Sequence, residues 1–459
     1  MGSTSDKTNE LFWLEYGQAL ADKIGKFGDS TSLFLATEAQ KGPVAGDNIP
    51  DEYTNAGIFS IGDNLLSTDN PFYTPSALHS YREALDTYLN YVDLGGKPNA
   101  ALDEALASLK QDQASAQNNY SRQLKKAQDQ YKEEFDAELT TKKFFEYVAM
   151  GNTPGYLAAK QQLANVAQQI YQVQSKINGP LAATVNQDRA KLGFAAANDR
   201  EMAGYNMRAA FGEPPSAREI NRMLDNGEKL PEPNYTLVPT YRAEKYKRTV
   251  EGVMRKSEGE YDVPVRISLA VDTSKDTRDF TFNSATGGAS VGATLGGWFS
   301  FNVGGSHSEE STNLETGSET SSVKIDIRYD ELVAVHIDPG MWNFDVSKYK
   351  LQSDAPKSVK ELARVSQFVV ATRLGYDITV GASTASSIDT SLKKTTSGNG
   401  SISIFGIPIS LGGGGSKTSE KQSHEAKWDS SSRTFRVTPV ADNGFATIIG
   451  VVGEKFQIL

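Results

Sequence analysis

The chain has 459 residues, enough for two or three domains with sizeable cores. Its net charge of −10 and pI near 5.2 argue against general nucleic-acid binding, which needs a basic face against phosphates. There is no cysteine, which removes disulfides, thiol catalysis, iron–sulfur clusters and cysteine-ligated zinc.

The start, Met1-Gly-Ser-Thr-Ser-Asp-Lys7, has no basic segment followed by an apolar core, so no secretory signal peptide is visible. No stretch reaches the roughly 18–20 apolar residues of a spanning helix. The expectation is a soluble chain, cytoplasmic at synthesis, either kept there or released without a visible signal.

Residues 8–26 read as a helix, with Leu11-Phe-Trp-Leu14 as its apolar cluster. A loop rich in Gly, Pro, Asp and Asn is expected to run to about residue 75. Ser76 opens a second helix, in which Leu78, Tyr81, Leu85, Leu89 and Val92 recur at helical spacing. Gly95-Gly96 ends it. A long helix follows over about 99–149, its apolar positions stepping by three and four between Gln, Asp, Lys, Glu and Asn. Fifty such residues would make a rod of about 75 Å. Gly151-Asn-Thr-Pro154 breaks it, with Thr153 as N-cap and Pro154 in the first turn. The next helix carries the seam Leu163, Val166, Ile170, Val173 and Ile177. An Ala-rich helical segment is expected over about 181–211. Together these make an antiparallel helical hairpin or three-helix bundle whose seams bury one another.

Ser216-Ala-Arg-Glu219 is a capping-box pattern opening a short helix. Pro231, Pro233 and Pro239 mark a linker. The basic stretch Arg242, Lys245, Lys247, Arg248, Arg255 and Lys256 reads as a solvated helix face, ahead of a phosphate- or lipid-facing patch.

From residue 261 the period changes to two, with Tyr261, Val263, Val265, Ile267 and Leu269 alternating. Strands are expected over 329–337 and 368–380, a short helix over 357–366, and a buried strand over Phe445–Val452. A Gly/Ser-flanked β pattern occurs twice. The first copy is Tyr261–Leu269, Trp298–Ser306 and Val323–Ile327. The second is Phe368–Leu374, Phe405–Ser416 and Phe435–Val437, in the same order at nearly constant spacing.

Two segments stand out. In 291–303 the odd positions include Val291, Leu295, Phe299, Phe301 and Val303, and the even ones are mostly Gly, Thr, Ser and Asn. This is one long strand or a hairpin turning at Gly296-Gly297. In Ile402–Leu411 the apolar phase slips between Ile404 and Phe405, which demands a bend, and Pro408 places that piece at an edge or tip. Ser/Thr/Gly-rich runs flank both. A spanning β-strand needs only about 9–11 residues with alternating faces. In texture the segments are similar to the insertion segments of β-pore-forming toxins, and 99–178 is similar to the long hairpins of helix-rod cytolysins; no family motif accompanies the likeness. The competing reading puts the same strands in an ordinary β-sandwich, apolar faces inward.

Catalytic patterns are absent from the sequence. Gly412-Gly-Gly-Gly-Ser-Lys-Thr418 fails the phosphate-loop pattern, since Ser416 stands where glycine is needed. No nucleophile elbow or dinucleotide turn occurs. His307 and His424 both follow the Gly-rich turn of their copies, where they could meet as a pH-sensitive or metal pair; no wider ligand set supports a metal there, and no cofactor is expected.

The expected fold is α+β: an N-terminal helical bundle with a long antiparallel helical hairpin, then a C-terminal antiparallel β domain of two pseudo-repeated halves. The expected domains are 1–97 (helices and loops), 98–230 (long-helix hairpin), 231–260 (linker and basic helix) and 261–459, with halves 261–350 and 367–459. The leading expectation is a non-enzymatic, membrane-interacting or pore-forming protein of toxin or defence type. Trp298, Phe299, Phe301, Phe405, Ile407 and Ile409 would contact lipid. The alternative is a ligand-binding protein or cofactor-free isomerase or cyclase, with a small apolar ligand between the β halves or against the helices. A third reading makes the rod a homo-oligomerisation arm.

Overall fold

A computed structural model gives the fold. It describes residues 4–456 apart from 26–29, 47, 67–71, 74–79, 96–98, 138, 141–143, 179, 198–200, 212–214, 233, 257–260, 272–298, 303–322, 383–384, 387, 391–399, 405–406, 412–423 and 440–444. The chain is a mixture of helices and several mainly antiparallel sheets.

The first half contributes α1 (Thr4–Ile24), β1 (Thr31–Lys41), α2 (Asp51–Gly62), β2 (Phe72–Tyr73), α3 (Tyr81–Asn90), α4 (Ala100–Asp136), α5 (Phe144–Ala149), α6 (Pro154–Asn178) and α7 (Pro180–Ala196). Next come β3 (Asn206–Phe211), α8 (Ala217–Asp225), β4 (Asn234–Pro239), β5 (Tyr241–Arg242) and α9 (Glu244–Lys256). The second half contains β6 (Val265–Val271), β7 (Phe299–Asn302), β8 (Val323–Arg328), β9 (Leu332–His336), β10 (Asp338–Pro339), α10 (Lys357–Lys360), β11 (Ala363–Ala371) and β12 (Gly375–Thr379). It ends with β13 (Gly400–Ile404), β14 (Ile407–Leu411), β15 (His424–Asp429), β16 (Thr434–Pro439) and β17 (Thr447–Lys455).

Two five-stranded sheets organise the molecule. The first has the order β2-β1-β17-β11-β9 and the second β15-β16-β12-β8-β6. They share two chain passages, because β8 leads straight into β9 and β11 into β12. The passages turn a corner together. Asp330 N donates to the Thr372 carbonyl at 3.1 Å, and Thr372 N to the Glu331 carbonyl at 3.0 Å. Arg373 takes a φ of 47° there, a left-handed conformation that non-glycine residues adopt mainly in turns. Gly375 starts β12 where a Cβ would fall 2.3 Å from the Tyr261 hydroxyl, so only glycine fits that approach.

Alternation along the first sheet supplies two cores. Phe34, Ala36, Phe368, Val370, Ile448 and Val451 face one side, against Tyr81, Leu85, Tyr88, Val185, Tyr241 and Tyr246 from α3, α7, β5 and α9. Leu33, Leu35, Val369, Ile449 and Val452 face the other, where α1 packs with Leu11, Phe12, Trp13, Tyr16 and Leu20. The same second core runs on under Ile267, Leu269, Ile325, Ile327, Ile378, Phe435 and Val437 of the second sheet. Helix α1 thus fills the inside of the corner, which is why its Leu11–Leu14 cluster is apolar almost all round. The first sheet is covered on both faces, so β17 reads as a continuous buried run, as expected for 445–452.

Several sequence expectations are corrected. Residues 31–41 and 51–62, read as loop, are β1 and α2. β1 has only a short apolar run, and its strand state comes from the slot between β2 and β17. Residues 206–211, read as helix, are β3, paired along its length with β4; strand pairing overrides the helical propensity of Ala209-Ala210. Only 357–360 of the expected 357–366 helix forms, because β11 begins at Ala363.

The long helix is also shorter than expected. α4 spans 37 residues, about 55 Å. α5 folds back so that Phe144 and Tyr147 both pack 5.4 Å from Tyr131; in a continuous helix they would lie ~20 Å along the axis. α4 packs along α6, with Tyr120 and Tyr156 rings 5.5 Å apart. Glu83 of α3 ties both helices to the body: it accepts from the Tyr120 hydroxyl at 3.1 Å and pairs with Lys160. Burial drives the Glu83 carboxyl upward, but Lys160 and Arg82 outweigh it and hold it below the usual range. Pro154 does open α6, yet the Thr153 hydroxyl is buried and makes no hydrogen bond among the described residues.

The Ser216 capping box forms as read. Glu219 N donates to Ser216 Oγ at 3.2 Å and Ser216 N to Glu219 Oε2 at 3.1 Å. Ser216→Ala is expected to cost about 1 kcal/mol, measured as a lowered midpoint in urea unfolding. Of the basic residues read as a solvated face, Arg242, Lys245 and Arg248 are exposed and Lys247 pairs with Asp51, while Tyr246 and Val250 on the same helix are buried.

Candidate functional site

The two unusual segments meet in a third sheet, of order β14-β13-β7. β7 lies in the connection from β6 to β8, and β13 and β14 lie in the connection from β12 to β15. Both connections leave the second sheet. β7 pairs with β13 through Phe299↔Ile404, Ser300↔Ser403, Phe301↔Ile402 and Asn302↔Ser401. β13 pairs with β14 through Ser401↔Ser410, Ile402↔Ile409, Ser403↔Pro408 and Ile404↔Ile407.

Directly opposed residues in an antiparallel ladder share a face, and successive residues alternate. The register therefore places Phe299, Phe301, Ile402, Ile404, Ile407 and Ile409 on one face. Ser300, Asn302, Ser401, Ser403, Pro408 and Ser410 fall on the other. Separate stretches of sequence thus build a single two-faced sheet. The chain reverses between Ile404 and Ile407, where the phase slip demanded a bend. Pro408 sits on β14, an edge strand, as its missing N–H requires.

Of the residues read from sequence, Phe299, Phe301, Ile407 and Ile409 are brought together on this face. Trp298, Phe405 and His307 lie outside the described residues. Ile402 and Ile404 were not singled out, although their period-two alternation is the same signal; the slip after Ile404 hid it by breaking the phase.

The roots of the connections are firmly tied. Asp377 of β12 is held between Arg328 of β8, whose Nε donates at 2.8 Å, and Arg436 of β16, whose Nε donates at 3.0 Å. Arg328 also donates through Nη1 to the Val263 carbonyl at 2.8 Å. Trp428 of β15 donates through Nε1 to Asp389 at 2.8 Å and packs tilted against Phe435 with ring centroids 4.5 Å apart. His424, at the start of β15, is buried, and its Nε2 lies 2.9 Å from the Leu374 carbonyl. Burial pushes its imidazole down to about 4, against a smaller upward pull from that carbonyl.

Among the described residues no group of three or more His, Asp or Glu side chains is arranged to hold a metal ion. Nor is any described helix long and apolar enough to cross a membrane. The chain matches no protein-family model, no curated protein and no solved structure.

Proposed function

We propose that the protein acts on lipid bilayers, inserting the two connections of the second sheet as β-hairpins in the manner of a pore former. The observation that carries this reading is the register of the third sheet, which gathers apolar residues from both segments on one face and Ser, Asn and Pro on the other. That is the alternation of a barrel strand with one face to lipid and one to water. The connections 272–322 and 380–423 each hold more residues than the roughly 20 needed for two spanning strands. Their Gly, Ser and Thr content suits a wet lumen.

The blocks of the repeat read from sequence take different places: Val265–Leu269 lies in β6 of the second sheet, while its counterpart Phe368–Ala371 lies in β11 of the first. β6 and β8 are neighbours, β12 and β16 are neighbours, and β8 joins the two pairs. The first connection joins the neighbours β6 and β8, and the second joins β12 to β15, which flank β16, so both leave from the same sheet. The packing of α4 along α6 supports the long-helix hairpin as an arm, and copies of the chain are the partners with which a pore would be completed. No nucleic acid and no cofactor enter this scheme.

Leakage of a trapped dye from phosphatidylcholine vesicles, with and without phosphatidylserine, tests the reading. The wild-type chain is expected to release dye. Phe301→Arg with Ile409→Arg is expected to cut release more than tenfold, since a cation on a lipid-facing barrel position costs about 2–4 kcal/mol at mid-depth. Ser401→Arg with Ser410→Arg, on the opposite face, is expected to leave release within a few-fold. Vesicles that stay intact with the wild type, or equal losses from both faces, would remove the proposal.

A further inference from the structure

We propose that His424 is an acid-sensitive catch on the second connection: when protonated it unseats β15, the strand that returns β13 and β14 to the sheet. The purpose of the catch rests on the membrane reading above, although its physics does not.

His424 is the first residue of β15, and β15 is the last strand of the second sheet, laddered on β16. The imidazole is 1% exposed and reaches across to the Leu374 carbonyl at the corner. One end of β15 is therefore fixed by a neutral ring in a dry site. Farther along, the Trp428–Asp389 hydrogen bond ties the returning strand to the departing end of the same connection. Opening at His424 loosens both.

The charged groups on the surrounding elements are already engaged. Glu425 and Lys427 on β15 itself are exposed, on the alternate face from His424. At the corner, Arg373 pairs with Asp330 at 3.4 Å and lies over the Tyr261 ring, whose hydroxyl donates to the Arg373 carbonyl. On β12 and β16, Asp377 and Arg436 pair with each other at 3.0 Å. β14, which passes beside β15, carries no titratable residue.

A histidine exposed to water titrates near 6.5. Seated in β15, its proton affinity is lower, with the pKa near 4. The open strand therefore binds the proton more readily than the seated one. The seated form has its full stability above about pH 6.5. Between about 6.5 and 4 the ratio of seated to open strand falls roughly tenfold per pH unit, and it changes no further below that.

Hydrogen exchange on the full-length protein at pH 7.5 and 5.0, corrected for intrinsic rates, tests the catch without lipid. Protection of the 424–429 amides is expected to fall more than tenfold at the lower pH, relative to β17. His424→Gln keeps a donor for Leu374 and takes up no proton, so its protection is expected to be flat. His424→Met serves if glutamine is not accommodated. Wild-type protection of β15 that does not change with pH, or that falls equally in the variants, overturns the catch. Dye release from phosphatidylcholine–phosphatidylserine vesicles, followed in parallel, separates the two ideas. Release with an acid-insensitive β15 discards the catch and keeps the membrane reading. His424-dependent opening over intact vesicles keeps the catch and discards the membrane reading.

Discussion

Asp377→Ala is expected to destabilise the protein by about 3–5 kcal/mol, the range found when one partner of a buried ion pair is removed. Asp377 is 7% exposed and lies on the middle strand of the second sheet. Its two oxygens are divided between neighbours: Oδ2 takes Arg328, Oδ1 takes Arg436. The two arginines do not matter equally. The Arg436 side chain is 62% exposed and can return to water, so its share is small. Arg328 is 23% exposed and has nowhere comparable to go. Its charge, left without a carboxylate between β8 and β12, is the main cost. Asp377→Asn, which keeps the shape and loses the charge, is expected to fall between wild type and alanine. Chemical unfolding midpoints of the three proteins check the order. Equal stability of Asp377→Ala and wild type would mean the pair is dispensable to the second sheet.

Trp342→Ala is expected to cost a similar amount, about 3–5 kcal/mol, for a different reason. Trp342 is fully buried in the first core. Its ring meets Tyr241 edge-on with centroids 5.4 Å apart and leans on Tyr81 at 6.1 Å, and its Nε1 donates to the Thr240 carbonyl at 2.9 Å. Truncation opens a cavity, and the surroundings relax into it only in part. It also leaves the Thr240 carbonyl without its indole donor. Trp342→Phe refills most of the volume and is expected to recover more than half of the loss. Thermal unfolding followed by far-ultraviolet circular dichroism reads both.

Local signals were legible where the chemistry is local. The Ser216 capping box, the break before Pro154 and the alternation of Ile267 and Leu269 each act within a few residues, and each appears in the structure; Val265, read on the same face, is exposed beside the register shift at Val265/Ile267. β17 was legible because a strand covered on both faces must be apolar throughout. Structure that depends on remote partners was not. β1 is a strand because β17 lies beside it, and β3 because β4 does. Tyr131, Phe144 and Tyr147 cluster by folding back, which no spacing along a helix announces. The candidate site lies between these cases. Each apolar segment could be found alone by its period. That they share a sheet, and that Ile402 and Ile404 join the same face, follows only from a register between distant stretches. The residues that bind the first core, Tyr81, Tyr241 and Trp342, come from three widely separated segments and carry no sequence mark of their meeting.

The position of β17 between β1 and β11 has a consequence for how this chain is made. β1 leaves the ribosome long before β17, so the central rung of the first sheet is missing while all the strands between them are made. Closing so long a loop is slow, and a topology rich in such distant pairings folds slowly as a whole. Until it closes, β1 and β11 each present an open, hydrogen-bond-hungry border to solvent. A nascent chain stalled short of residue 447 is therefore a ready client for chaperones, and a release of stored partners from that state is the step at which yield would be won or lost.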